Sequence, residues 1–145
     1  MSSRTLSAFY WLCLFATLFM SISASPVPSN STEPRELEKR VTRTGRATWF
    51  NVGLGNCGKT SKDSDPVVAM SKAFYDRNGG SNCGQWVEII NTANGKKAYG
   101  QLLDSCPGCK ESELDISPSL FKKFAPLDNG IFTAQWHFMA KGWSP

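Results

Sequence analysis

The sequence predicts a small, mainly β domain, either a barrel or a sandwich, and three observations point to it. Five short runs rich in β-branched, aromatic and other apolar residues are spread along the chain. A single helix is clearly signalled, near the C-terminal end. Setting aside the first 40 of the 145 residues leaves about 105, which is enough for one small domain and too few for a two-domain enzyme.

The strand-like runs are Ala47-Thr48-Trp49-Phe50, Val67-Val68-Ala69-Met70, Trp86-Val87-Glu88-Ile89-Ile90, Ala98-Tyr99-Gly100-Gln101-Leu102-Leu103 and Ile131-Phe132-Thr133-Ala134-Gln135-Trp136. Asn94-Gly95 lies between the third and fourth. Its tolerance of positive φ suits a two-residue hairpin turn, so those strands should pair antiparallel. For the helix, Ser117 can cap, Pro118 suits the first helical position, and Leu120, Phe121 and Phe124 give an apolar face. Pro126 stops it after about two turns. Glycine-rich loops at 53–58 and 79–84 enclose Cys57 and Cys83 and let the backbone turn tightly around them. Neither continues into Lys-Ser/Thr at P-loop spacing, which argues against a phosphate cradle.

The first 40 residues read as targeting and processing segments. Arg4 precedes an apolar stretch from Leu6 to Met20 and small residues at Ser21, Ser23, Ala24 and Ser25. That is the layout of a secretory signal peptide over 1–24, and the run is shorter than the ~20 residues a bilayer-spanning helix needs. Residues 25–40 hold three prolines, six charges and almost nothing apolar, and end in the dibasic pair Lys39-Arg40. They read as a propeptide whose removal would start the mature domain, 41–145, at Val41. A secreted, extracellular protein with no membrane association after cleavage is expected.

Cysteine usage agrees with export. Cys13 falls in the signal peptide, leaving Cys57, Cys83, Cys106 and Cys109, an even set suited to two disulfides in an oxidising compartment. Four cysteines allow three pairings, and sequence alone does not choose among them. Zinc is the rival reading of Cys106-Pro107-Gly108-Cys109, but His137 is the sole histidine and a metal centre usually needs a second ligand pair. No metal or other cofactor is therefore expected. The mature part carries twelve Lys and Arg against nine Asp and Glu, a net +3 spread along the chain, so nucleic acid is not an expected partner.

Nucleophilic catalysis finds no support, because the one histidine stands between Trp136 and Phe138 and the cysteines should be oxidised. Two carboxylates stand out instead. Asp104 follows Leu102-Leu103, and Asp115 lies between Leu114 and Ile116. An acid at a strand end beside buried residues can have its pKa raised and act as a proton donor. The plainer account of each is a capping or turn aspartate.

The ordered series GRATWFN, GNCG, PVVAMS, SNCGQWVEI, LLDSCPGC, ELDISPSLF and AQWHF, from about Gly45 to Phe138, resembles the double-psi β-barrel proteins of the barwin, expansin and rare-lipoprotein-A-like group, in particular their small fungal members. The resemblance implies a six-stranded barrel with one or two short helices and an open groove on one face that holds wall polysaccharide. It implies groove roles for Thr48, Asp104 and Asp115, the last as the aspartate of a D-L-S motif that here reads Asp115-Ile116-Ser117. It also implies a Cys57–Cys83 disulfide, leaving Cys106 to pair with Cys109. Two residues after Asp104 the bacterial expansin pattern has an aromatic residue where this chain has Cys106, which argues against sugar stacking there. The second, cellulose-binding domain of true expansins is not expected after Pro145.

Three functions follow from this reading. The first is a non-hydrolytic, wall-modifying module in which Thr48, Asp104 and Asp115 bond sugar hydroxyls and Trp49, Phe50 or Trp86 offer stacking faces; the plainer place for those aromatics is the core. The second is a secreted inhibitor or effector acting on a host or other secreted protein, since the chain also resembles a papain inhibitor built on this barrel. Its candidate contact is the loop 59–65. The third, glycan cleavage, ranks below binding because residues 45–55 contain no acid to act as the second carboxylate. A monomer is expected.

Overall fold

The computed structural model describes residues 41–145. The expected signal peptide, the propeptide with Lys39-Arg40, and Cys13 lie outside the described residues. No described helix is long and apolar enough to cross a membrane.

Six strands form: β1 Arg43–Trp49, β2 Val67–Ser71, β3 Trp86–Asn91, β4 Lys97–Cys106, β5 Leu114–Ile116 and β6 Phe132–Phe138. They close into a barrel in the order β1-β5-β2-β4-β3-β6. Closure leaves no edge with unpaired backbone groups. The β1–β5 and β2–β4 pairs are parallel, and the other four are antiparallel. Two short helices, α1 Lys72–Arg77 and α2 Pro118–Phe121, complete the fold with a 3-10 turn at Leu127–Asn129.

Alternation builds the interior. Ala47, Val68, Met70, Val87, Ile89, Leu102, Leu114, Ile116, Ala134, Trp136 and Phe138 point inward and are buried. The helices cover opposite ends of β6. Phe121 and Phe124 pack on Phe132 at its start, with ring centroids 5.2 and 4.9 Å away, whereas Phe74 of α1 meets Phe138 at its end, 6.3 Å away. Gly100 on β4 makes room for this packing: a Cβ there would lie 2.4 Å from Leu120 Cδ2 and 2.6 Å from Val68 Cγ2.

The cysteines pair Cys57–Cys83 and Cys106–Cys109, so the thiolates a zinc site needs are consumed. The first bridge spans 26 residues, worth roughly 3.5 kcal/mol on the loop-entropy account.

The closed six-stranded barrel with two short helices is what the resemblance implied. The reading of separate segments differs in detail: the five predicted runs are all strands, and the sixth, β5, is only three residues long. The connection between β3 and β4 is wider than a two-residue turn: Gly95 N–H donates to Asn91 C=O and Asn91 N–H to Lys96 C=O, so Thr92–Lys96 form the loop, with Gly95 at φ +71°. Ser71 ends β2 and at once caps α1, its Oγ accepting from Phe74 N–H. Ser117 stands at the N-cap of α2 but caps nothing with its side chain; its Oγ donates to Asp65 C=O and accepts from Val67 N–H, tying α2 to the start of β2. The regular part of α2 is also only four residues, about one turn.

Gly100→Ala should lower stability by about 1–3 kcal/mol, because the methyl overpacks a buried seam. Gly108→Ala, where an added Cβ meets nothing within 4 Å, should stay within ~0.5 kcal/mol of wild type. Urea unfolding of both variants measures the contrast, and equal stabilities would contradict this packing.

Candidate functional site

The candidate residues are brought together by strand register. Thr48 on β1 pairs with Asp115 on β5, Asp115 with Ala69 on β2, and Ala69 with Asp104 on β4. Paired residues share a face of the sheet, and the neighbours Ala47, Leu114 and Val68 point inward, so this row lies on the outer wall. A register shift in β2 between Val68 and Ala69 puts Asp104 into line, because without it Leu103 would stand opposite Ala69.

Thr48 Oγ1 donates to Asp115 Oδ1 at 2.8 Å. Asp115 is half-buried. Burial pushes its carboxyl above the usual aspartate value and the nearby Asp104 charge pushes the same way, while the Thr48 hydroxyl and the Ile116 N–H pull it back. The net effect is upward.

Asp104 does the work of a turn aspartate as well as ending the row. Its Oδ1 accepts from Asn56 N–H at 2.8 Å and from Ser105 N–H at 2.7 Å, which fastens the loop after β1 onto the end of β4. Both bonds fall on one oxygen, and Asp104 lines a shallow depression with Leu54, Asn56, Lys72, Ser105 and Pro107.

Trp49 is on the other face of β1 from Thr48. It packs against the core, donates through Nε1 to Leu127 C=O at 3.1 Å, and lines a separate cleft with Asn51, Asp63, Ser119 and Lys122. Trp86, in line with Gln101 on β4, is on the far side of β4 from the row, and half-buried Phe50 follows the end of β1. The loop 59–65 is tied to the segment after β1, Asp63 accepting from Asn51 Nδ2 and Val52 N–H, and is folded within itself by Asp65 accepting from Lys62 N–H. Asn51 and Lys122 were not singled out by sequence reasoning, and Asp63 only as part of the loop 59–65. They are exposed polar residues in three separate segments, and no spacing signal could have joined them.

Two residues before Thr48 and Asp115, Arg46 grips Glu113 through Nε at 2.7 Å and a second guanidinium nitrogen at 3.1 Å, and Lys110 N–H also donates to Glu113. These contacts hold the Glu113 carboxyl down at about 2. Among the described residues, no cluster of three or more acidic, histidine or cysteine side chains could hold a metal ion.

Thr48→Val should raise the Asp115 titration midpoint and Asp104→Asn should lower it, each read from the Asp115 carboxyl carbon by NMR. The sign for stability follows. A carboxyl whose pKa is raised by folding favours the folded state while protonated, so its contribution is lost as pH rises from the ordinary value of 3.8 through the raised one. Glu113 acts in the opposite sense, stabilising above 4.5 and losing its effect as pH falls toward 2. Urea midpoints of Asp115→Asn against wild type should therefore show the falling component removed in the variant. Parallel profiles would contradict the burial of this acid.

No protein-family model matches the chain. It is 32% identical over 102 residues to the papain inhibitor of Streptomyces mobaraensis, covering 66% of this chain and 71% of the inhibitor. The solved Streptomyces papain inhibitor superposes with a TM-score of 0.60 at 31% identity, over 69% of this chain and 96% of that one. An allergen of Aspergillus fumigatus is 31% identical over 101 residues, 65% of this chain but only 36% of the allergen. A variant of Clavibacter michiganensis expansin in complex with cellohexaose gives a TM-score of 0.62 at 25% identity, over 72% of this chain and 54% of the expansin. Sequence identity across most of the inhibitor and a closed six-stranded barrel of the same architecture lead to one conclusion: the chain belongs to the double-psi β-barrel proteins of the barwin, expansin and papain-inhibitor-like group.

Proposed function

We propose that this barrel is a secreted module that binds cell-wall polysaccharide and loosens chain packing without hydrolysis. The observation that carries the reading is the outer-wall row Thr48–Asp115–Ala69–Asp104. Thr48 leaves hydroxyl lone pairs and Asp115 a second carboxylate oxygen to accept from sugar hydroxyls, and Asp104 presents the oxygen its loop bonds do not use. Ala69 between them is buried and offers no polar side-chain group, so the contacts fall to Thr48, Asp115 and Asp104. The similarity to an expansin solved with cellohexaose supports a glucan chain as the ligand class.

Binding fits this geometry better than cleavage. Asp115, with its raised carboxyl, has the character of a proton donor, but its partner in the row is committed to two backbone amides that hold a loop. The two disulfides agree with an extracellular setting, reached by loss of residues 1–24 and 25–40, and the module is proposed to act as a monomer.

A second reading has its own support. The chain is 32% identical to a papain inhibitor, whose solved structure it covers almost completely. On that reading the partner is a cysteine protease of the papain type.

Pull-down on insoluble cellulose and chitin tests the main proposal. Wild type should bind, and Asp115→Ala should bind at least about tenfold more weakly, as expected for losing hydrogen bonds to a charged acceptor. No soluble reducing ends should appear. Equal binding by both proteins would refute a role for the row, and released sugar would make the protein an enzyme.

A further inference from the structure

We propose that the loop 53–60 is a preformed docking wedge, with Leu54 as the anchor that enters an apolar subsite in the cleft of a papain-type protease. The inference rests on the inhibitor reading and gives that reading a contact surface.

Leu54 is 74% exposed, the most exposed of the large apolar side chains described. A lone surface leucine means little by itself. This one is set on an unusually constrained loop. Leu54 and Thr60 form an antiparallel bridge, Gly55 N–H donates to Lys59 C=O at 3.0 Å, and Ser61 N–H donates to Gly53 C=O at 2.9 Å. The loop is then fastened to the barrel from several sides. Cys57 is bonded to Cys83, its N–H donates to Leu103 C=O, Asn56 N–H donates to Asp104, and Tyr75 Oη donates to Asn56 C=O. Gly55 sits so close to β4 that a Cβ would lie 2.2 Å from Leu103 O. The conformation that displays Leu54 therefore exists before any partner arrives, and docking loses little entropy in ordering it.

The chemistry favours a protein over a sugar. Leucine has no ring face for a pyranose to stack on, whereas a branched aliphatic side chain fills an apolar pocket well. Gly53 points the same way. Its φ is not positive and a Cβ there would meet nothing within 4 Å, so neither backbone conformation nor packing demands glycine. What glycine provides is a bare approach beside Leu54, where another backbone can come close. Exposed Lys59, next to Thr60 of the bridge, adds a positive charge to the loop and suits a cleft with an acidic rim, whereas Lys72 is already paired with Asp76.

The test compares wild type, Leu54→Asp and Gly53→Tyr as inhibitors of papain, with thermal midpoints recorded for all three. Both substitutions face solvent, so the midpoints should agree. Wild type should inhibit, and each variant should raise the inhibition constant at least about tenfold, the scale of a central interface anchor. Inhibition by wild type that survives both substitutions would overturn the wedge and leave the inhibitor reading standing. No inhibition by wild type would overturn both. A further arm, cellulose binding by Gly53→Tyr, should match wild type, because an added side chain there points into open space, and its loss would mean the loop serves the polysaccharide row instead.

Discussion

The structure depends on closing the barrel through β5, a strand of three residues. Leu114 to Ile116 bond in parallel to β1 on one side and antiparallel to β2 on the other, and without them the sheet would open along two edges. So short a strand supplies few ladder bonds of its own, and its surroundings hold it in place. Arg46 clamps Glu113 immediately before it, the indole of buried Trp136 donates to Ser112 C=O at 2.8 Å, and Ser117 immediately after it bonds Asp65 and Val67. The inward residues Leu114 and Ile116 contribute to the core, so the only side chain of the strand facing outward is Asp115. The element that closes the fold is also the element that presents the acid, which is why the position of that acid is so firmly determined.

Much of this was legible in the sequence, and what was missed has physical causes. The five longer strands carry enough β-branched and aromatic residues to be read directly, and Pro118 marked the start of α2. Leu114-Asp115-Ile116 has the alternation of a strand but is too short for periodicity to register, so only the resemblance supplied a sixth strand. α1 escaped because Lys72–Arg77 follows β2 with no break, one serine serving as the end of the strand and the cap of the helix. The hairpin pairs antiparallel as expected, and only its loop is longer than two residues, because Asn94-Gly95 supplies the positive φ inside a wider turn where Asn94 also bonds Lys96 N–H through its own side chain.

The candidate site was half legible. Thr48 was picked out by resemblance and Asp115 both by its apolar neighbours and by resemblance, and the parallel β1–β5 pairing explains why residues 67 apart in the chain are within 2.8 Å. Asp104 was weighed as either a functional or a turn aspartate, and its hydrogen bonds give it the turn role while leaving it in the row. Trp49 was weighed as a stacking face in the site or as a core residue. Strand alternation sends it to the opposite face of β1, where its ring contributes to the core and its edge to a different cleft. That outcome needs only the period of two, applied to two adjacent residues. Leu54 had no such signal, since exposure at a loop tip is a property of the folded chain.

The row and the wedge are not independent surfaces, because Asp104 belongs to both. Its Oδ1 holds Asn56 N–H and so fixes the loop that carries Leu54, while its side chain lines the depression beside the row. A ligand that drew the Asp104 carboxylate toward itself would weaken the bond that positions the wedge, and a partner gripping the wedge would hold Asp104 in its turn geometry. The two occupants would then oppose each other through one carboxylate even if they never touched. A barrel of this size has little outer wall to divide between partners.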